Sequence, residues 1–299
     1  MTLVVFLRGK GYLLKLFKRQ WVIIKISEKN INFTKEILDY FPFYIDTIEV
    51  DMHKRLKRID FSGPRKHLVS KFINFPFWFP SVPEPIVTID QYLEILELQI
   101  GETVIDLGAY SGLSSIVFKE AVGDSGTVVA VEADPKNFRL LEENLMEYKK
   151  ETNQKVEYLH AAAFSSSGVM SFISEGTMAS SLKETAVDGW IRESVMTNVP
   201  TVTLEDIVQC FKLEHVNVIK ADIEGSEYDV FSLASFFREF RPRVLVEIPS
   251  LDESKPNFRD LDMRAMKRNL FHLFESYDYE SCQYHQIGSK LPLVLFLPK

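Results

Sequence analysis

The 299-residue chain is poor in cysteine and in long apolar runs, and both shortages narrow its class. Two cysteines, Cys210 and Cys282, supply neither a disulfide framework nor metal-ligand spacing, so a reducing cytoplasm is the expected compartment. No apolar stretch approaches the roughly 20 residues of a membrane span. The apolar start from Leu3 to Leu7 is too short for a signal-peptide core. Internal repeats and low-complexity tracts are missing, which excludes solenoid and collagen-like classes. The G-x-G-x-x-G fingerprint of dinucleotide-binding sheets is missing too. What is there, 46% hydrophobic and 26% charged residues, is the composition of an ordinary globular protein.

Charge is unevenly spread. Residues 1–84 hold 15 Lys+Arg against 8 Asp+Glu, and the remainder holds 20 against 34. From Arg8 to Lys25 six basic residues and no acid are interleaved with Leu13, Leu14, Leu16, Phe17, Trp21 and Val22. That pattern predicts an amphipathic helix over residues 8–25. Such a helix either rests on an anionic membrane surface or packs on the rest of the chain with its lysines in water. Nucleic acid is not an expected partner, because the larger, acidic part would repel phosphate.

Between residues 74 and 85, Pro76, Pro80, Pro83 and Pro85 alternate with Phe75, Phe77, Trp78 and Phe79. Prolines at that density exclude a helix or central strand and predict an extended connector. Its aromatic rings either line a substrate cleft or seal a seam. The connector separates an N-terminal extension of unassigned role, residues 1–84, from an α/β part over 85–299. In that part, strands are expected at Thr103–Leu107, Thr127–Val131, Lys155–Ala161, Val216–Ala221 and Arg243–Ile248. Helices are expected at Gln91–Leu98, Ser114–Ala121, Pro135–Lys149, Leu204–Phe211 and 258–275. The alternation predicts a mostly parallel sheet covered on both faces. Tyr279–Ile287 and Leu293–Leu297 then read as a closing antiparallel pair, which suits a methyltransferase sheet better than a dinucleotide-binding one.

Two segments carry chemistry. In Val104-Ile105-Asp106-Leu107-Gly108-Ala109-Tyr110-Ser111-Gly112, a buried strand delivers an acid and two glycines four apart, just before a helix. Glycine admits positive φ and close approach of a ligand to the backbone, and the helix start offers free N–H groups to an anion. Glu132 ends the next strand, where an acid can accept both hydrogen bonds of a ribose diol. A Gly-x-x-x-Gly loop with an upstream acid suits S-adenosylmethionine, whose amino group needs an anion and whose carboxylate needs donors. In the second segment, Val216 to Ile219 leads into Lys220, Asp222 and Glu224, spaced by two and therefore on one side of an extended chain. Near a buried sheet, such a cluster costs several kcal/mol unless its members pair, meet solvent or meet a ligand. A solvated strand rim closed by a helix start is the plainer alternative, with Ser226 and Asp229 as a variant capping box. Three charges at one strand terminus favour a functional site.

These residues resemble the FkbM family of S-adenosylmethionine-dependent O-methyltransferases. The matching blocks are VIDLGAYSG at 104–112, VEADP at 131–135, AAFSSSG at 162–168, TVTLEDI at 201–207, VNVIKADIEGSEYDVF at 216–231 and RPRVLVEI at 241–248. The resemblance covers about residues 84–299 and implies the class I, Rossmann-like α/β sheet, mostly parallel with a terminal antiparallel hairpin. It implies that Asp106, Gly108 and Gly112 hold the methionine end of the cofactor and Glu132 its ribose. Ala162 borders the adenine, and Ala109, Tyr110 and Ala133 complete the cofactor site. Asp222 lies next to the transferring methyl. Three positions depart from the family pattern: Tyr110 where Asn is frequent, Ser166 where an acid is common, and Ile248-Pro249 in place of Ile-His.

The expected activity is methyl transfer from S-adenosylmethionine to a hydroxyl of a small molecule, sugar or glycan. Asp222 is the expected base or orienting group, with Lys220 and Glu224 tuning it. His160 is a rival base. A divalent ion held by Asp222 and Glu224 is a competing picture, although no metal is expected from only two carboxylates. A non-catalytic member that binds cofactor or partner, and an NAD(P)-dependent oxidoreductase, are the alternatives.

Overall fold

The computed structural model describes every residue except 1, 8–9, 18–19, 28–29, 31–33, 35–37, 50, 54–55, 70, 178–179, 183–194, 249–262 and 289–291. The chain opens with strands β1 (Thr2–Leu7), β2 (Lys10–Phe17) and β3 (Gln20–Ile26). Helix α1 (Phe41–Asp46) and strands β4 (Asp51–His53) and β5 (Leu56–Phe61) follow. The strands form one sheet in the order β1-β2-β3-β5-β4, antiparallel except where β3 runs alongside β5.

The helix expected over residues 8–25 is thus overturned, since its described residues form a β-hairpin. The reason is period. Val22, Ile24 and Ile26 are buried in alternation with half-buried Trp21, Ile23 and Lys25, and Leu13 is buried while Leu16 is exposed. Alternation of β-branched residues suits a half-buried pleated surface. The Lys25 ammonium pairs with Asp60 on β5 at 3.0 Å.

Strands β6 (Arg65–His67) and β7 (Phe77–Phe79) pair antiparallel, with Pro76 and Pro80 bracketing β7 so that the missing N–H groups fall outside it. Phe75, Phe77 and Phe79 are buried in an apolar cluster that includes Leu13 and Ile24 on one side and Val104, Phe118 and Leu245 on the other. The phenylalanines of the connector therefore seal a seam.

Helix α2 (Ile86–Leu96) begins five residues earlier than the sequence suggested. Pro85 is extended and sits immediately outside its first turn, a position that needs no N–H donor. Then come β8 (Thr103–Leu107), α3 (Leu113–Val122), β9 (Thr127–Glu132), α4 (Pro135–Thr152) and β10 (Glu157–His160). A side sheet is made by β11 (Ala162–Ala163), β12 (Gly168–Ser174), β13 (Ser181–Leu182) and β14 (Val195–Val202), in the order β11-β14-β12-β13. The chain continues through α5 (Leu204–Phe211), β15 (Val218–Ala221), α6 (Glu227–Phe231), α7 (Ala234–Glu239) and β16 (Arg243–Glu247). It closes with α8 (Met263–Ser276), β17 (Tyr279–His285) and β18 (Pro292–Pro298).

The main sheet has the order β10-β9-β8-β15-β16-β18-β17, with β18 the antiparallel member on both its sides. This is the class I arrangement expected from the sequence. Its parallel strands are buried on both faces, which is why β8, β9, β15 and β16 read as nearly unbroken apolar runs. From β8 the chain winds outward to β9 and β10, then returns to β15 on β8's other flank. Ligands bind at such a switch point, beyond the carboxyl ends of the strands.

The capping box expected at Ser226 and Asp229 does not form, because the Ser226 hydroxyl donates instead to the Ile223 carbonyl (3.1 Å). A complete box opens α5, between Thr203 and Asp206. Residues 258–262 of the expected last helix, and Pro249, lie outside the described residues. Among the described residues no helix is long and apolar enough to cross a membrane.

Candidate functional site

At the carboxyl ends of β8, β9, β15 and β16 lies a cleft with about 1040 Å³ of empty space, its open mouth included. Gly108, Tyr110, Glu132, Ala133, Ala162, Lys220, Asp222 and Glu224 all line it. Eight residues singled out in the sequence, drawn from four separate segments, thus meet in one place.

Three others do not reach the lining. Asp106 is fully buried beneath the glycine loop, where Ser114 and Ser115 donate hydroxyl hydrogen bonds to it (2.8 and 2.6 Å). Its other oxygen lies 3.3 Å from the Lys220 ammonium. Asp106 thus stands behind the cleft wall, held by Ser114, Ser115 and Lys220. Ala109 is buried, and its N–H donates to the Val131 carbonyl (3.1 Å). Gly112 starts α3 at φ +86°, with Leu141 packed beside it. His160, the rival base, is also outside the lining. Its ring stacks on Phe138 at 4.6 Å and its Nε2 lies 3.1 Å from the Ala133 carbonyl oxygen.

The loop after β8 is held from both sides. A Cβ on Gly108 (φ +75°) would stand 1.8 Å from the Asp222 carbonyl oxygen, so glycine is required there by the tip of the neighbouring strand. Tyr110, at φ +50°, carries the loop to the connector. Its hydroxyl accepts from the Ser81 N–H (3.2 Å), donates to the Val82 carbonyl (3.0 Å) and lies 3.1 Å from Ser81 Oγ. Asn144 on α4 clasps the same two segments. Its amide exchanges hydrogen bonds with the Trp78 backbone (2.8 and 2.9 Å) and donates to the Ser111 carbonyl (2.9 Å). The Glu132 carboxylate accepts from the Tyr110 and Asp134 N–H groups (both 2.8 Å), one on each oxygen, which leaves lone pairs for a ligand.

Charge is crowded at the other end. Among the described residues Lys220 is the one ammonium in the lining, 2% exposed, and it donates to the Gly108 carbonyl (3.1 Å). Burial works against its charge, but Asp106, Asp222, Glu84 and Glu247 together hold it above the usual lysine range. The carboxyls shift upward in turn. Burial raises Asp222, and Lys220 only partly offsets this. Burial, with Asp222 and Glu247 nearby, pushes Glu224 well above the ordinary glutamate value, and Glu247 is raised by burial and then by Asp222. Glu84 is pushed up to about 7, mainly by burial. Glu132, at the opposite end, is pushed up to about 8 by burial and by Asp134.

Sequence reasoning missed Tyr44, Glu84, Tyr92, Glu247 and Gln286, all in the lining. Tyr92 donates to Glu247 (3.3 Å), and the Gln286 amide donates to the same carboxylate oxygen (2.5 Å). A signal for Glu247 was present, since it ends an apolar strand just as Glu132 does. None existed for Tyr44 and Glu84, which come from α1 and the connector. Among the described residues no three His, Cys, Asp or Glu side chains are gathered in a way that would hold a metal ion.

A family model described as the methyltransferase FkbM domain matches residues 106–280, more than half of the chain. No curated protein matches the sequence. Among solved structures, the chain is similar to the methyltransferase FkbM from Methylobacillus flagellatus KT, with 17% identity and a TM-score of 0.49. That match covers 72% of this chain and 48% of the other, so the chain spans about half the length of that structure. An SAH-bound methyltransferase of Podospora anserina shows 12% identity and a TM-score of 0.41, over 71% of this chain and 76% of that one. An O-methyltransferase from Bacillus cereus in complex with SAH shows 12% identity and a TM-score of 0.40, over 71% and 80%.

Proposed function

The chain belongs to the family of methyltransferase FkbM domains, and on that premise we propose that it transfers a methyl group from S-adenosylmethionine to a hydroxyl of a small molecule or sugar. The observation that carries this reading is the convergence of Gly108, Glu132 and Asp222, from three adjacent parallel strand ends, in one cleft. The lining fits the cofactor. Glu132 keeps lone pairs for a ribose diol. Ala133, Ala162, Ala163 and Phe172 offer an apolar wall for a flat base.

When bound, S-adenosylmethionine supplies an electrophilic methyl group. The protein needs no nucleophile of its own and contributes alignment and a destination for the hydroxyl proton. We assign that task to Asp222, and its half-buried position in the cleft lining supports the assignment. Its raised proton affinity makes it a better base once ionised, and Lys220 keeps the ionised form accessible.

Calorimetry with S-adenosylmethionine, S-adenosylhomocysteine and NADH, repeated on Glu132→Ala, tests the cofactor. Micromolar-range binding of the two adenosyl ligands, weakened by the substitution and absent for NADH, is expected. Silence for both adenosyl ligands would overturn the reading and leave a non-catalytic member of the fold. With an acceptor in hand, Asp222→Asn should lower turnover by about 10²–10⁴-fold while leaving cofactor affinity nearly unchanged. Full turnover in that variant would remove Asp222 from the reaction.

A further inference from the structure

The cleft has two ends of different character. Strand spacing in a sheet is about 4.8 Å, so the ends of β9 and β16, three strand spacings apart, stand roughly 14 Å from each other with β8 and β15 between them. Glu132 marks the β9 end, whose other lining residues are largely apolar. At the β16 end are Glu84, Glu224, Glu247 and Gln286, with Asp222 at the tip of β15, one strand spacing away.

Hydrogen-bonding capacity at the β16 end is one-sided. The Lys220 ammonium is engaged by the Gly108 carbonyl and Asp106. The Tyr92 hydroxyl and the Gln286 Nε2 both point their protons at Glu247. Gln286 Oε1 is left as a buried acceptor with no partner, in a side chain only 3% exposed. An ionised Glu247 can only accept, and in that state the amide turns Nε2 toward it and Oε1 away. Among the described residues the region thus offers carboxylates and an amide oxygen without a partner, while the donors of Lys220, Tyr92 and Gln286 named above are engaged. A buried acceptor left unmatched is costly, as is an excess of like charge out of water. A ligand that brings positive charge and several N–H donors answers both demands.

We propose that the β16 end of the cleft is the acceptor subsite and that it selects a cationic acceptor, a hydroxyl compound carrying a protonated amine. The inference rests on the methyltransferase reading above. The ammonium sits among Glu84, Glu224, Glu247 and Gln286 Oε1, and the neighbouring hydroxyl is presented to Asp222. A bound divalent ion is the rival answer to the same charge, but no three of the described ligand-type side chains are gathered for one.

The test uses the full chain saturated with S-adenosylhomocysteine, whose binding is measured first. Failure at that step would sink the methyltransferase reading rather than this one. Ligand-observed NMR titrations then compare trans-2-aminocyclohexanol, trans-cyclohexane-1,2-diol and 2-hydroxycyclohexanecarboxylate, with Mg²⁺ in a separate arm. The expected result is that the amine binds at least about tenfold more tightly than the diol, and that the carboxylate does not bind. That preference should collapse in the double variant Glu84→Gln, Glu247→Gln, with affinity for S-adenosylhomocysteine retained. Glu84→Gln alone serves if the double variant does not fold. Equal or tighter binding of the diol or the acid overturns the proposal. So does no amine binding at about 10 mM, or saturable binding of Mg²⁺ that excludes the amine.

Discussion

Replacing Lys220 by methionine probes the electrostatic frame on which the cleft is built. Methionine keeps much of the apolar stem and removes the charge that faces Asp106 Oδ1 at 3.3 Å. Asp106 is fully buried and would retain only the hydroxyls of Ser114 and Ser115. Removing one member of a buried pair costs about 3–5 kcal/mol, because the other charge is left uncompensated. Two serine donors soften that penalty, which puts Lys220→Met near the lower figure, about 3 kcal/mol. At about 2–4 °C per kcal/mol, Tm should fall by about 6–12 °C.

The pH dependence of the loss is the sharper readout. Asp106, Asp222, Glu84 and Glu247 hold the Lys220 ammonium above the usual lysine range against the effect of burial. Its contribution to stability is therefore complete below about pH 10 and is lost only as pH rises through the higher folded value. Between pH 5 and 8 the wild type should show no change on this account. Urea unfolding at about pH 5 and pH 8 should show the full deficit at both, because the wild-type ammonium is charged throughout that range. A deficit below about 1 kcal/mol, or one that disappears between the two pH values, would refute the buried-pair reasoning.

Gly108→Ala should be more damaging than any exposed substitution. Its Cβ would lie 1.8 Å from the Asp222 carbonyl oxygen, a backbone atom that no rotamer change can move aside. A loss above about 4 kcal/mol, or failure to fold, is expected by chemical denaturation, and near-wild-type stability would refute the close approach. Tyr110→Phe strips Ser81 and Val82 of their buried partner and should cost about 1–3 kcal/mol. The same measurement checks it, since an unchanged midpoint would mean that the clasp between loop and connector contributes nothing. Ligand-free protein should lose stability as pH rises. Glu132 is held up at about 8, and Glu84 and Glu227 at about 7, mainly by burial. Groups raised in the folded state contribute stability that is intact below about pH 4 and lost as pH rises through 7 to 8. Stability that climbs from about pH 5.5 to 8.5 in unfolding curves would contradict this.

Legibility in the sequence followed locality. Strands β8, β9, β15 and β16 were readable because a strand buried on both faces must be apolar almost throughout. The closing pair β17–β18 was readable from its two runs and the intervening Gly288. The N-terminal sheet was misread because the lysines between apolar residues fit a helical face as well as a strand edge. Val22, Ile24 and Ile26, alternating and β-branched, were the better guide. Asp106 carried the strongest single signal in the glycine loop, yet its partners Ser114, Ser115 and Lys220 turned it inward. Two of those partners follow within nine residues and could have been suspected; Lys220 stands 114 positions away and could not.

The residues by themselves determined a class I sheet, the place of its switch point, and the arrival there of Glu132, Lys220, Asp222 and Glu224. Each is fixed by local rules, namely strand period, an acid at a strand end, and glycine where φ turns positive. Only the tertiary structure decided which of these groups face the cleft and what charge they meet there. Glu84 and Tyr44 reach it because the N-terminal sheet and the connector pack into the same apolar core as the main sheet. Glu247 and Gln286 meet because β16 and the end of β17 converge there, and Asp106 is withdrawn by a helix and a neighbouring strand. Contacts of that range depend on how elements pack, and no local pattern in the chain records them.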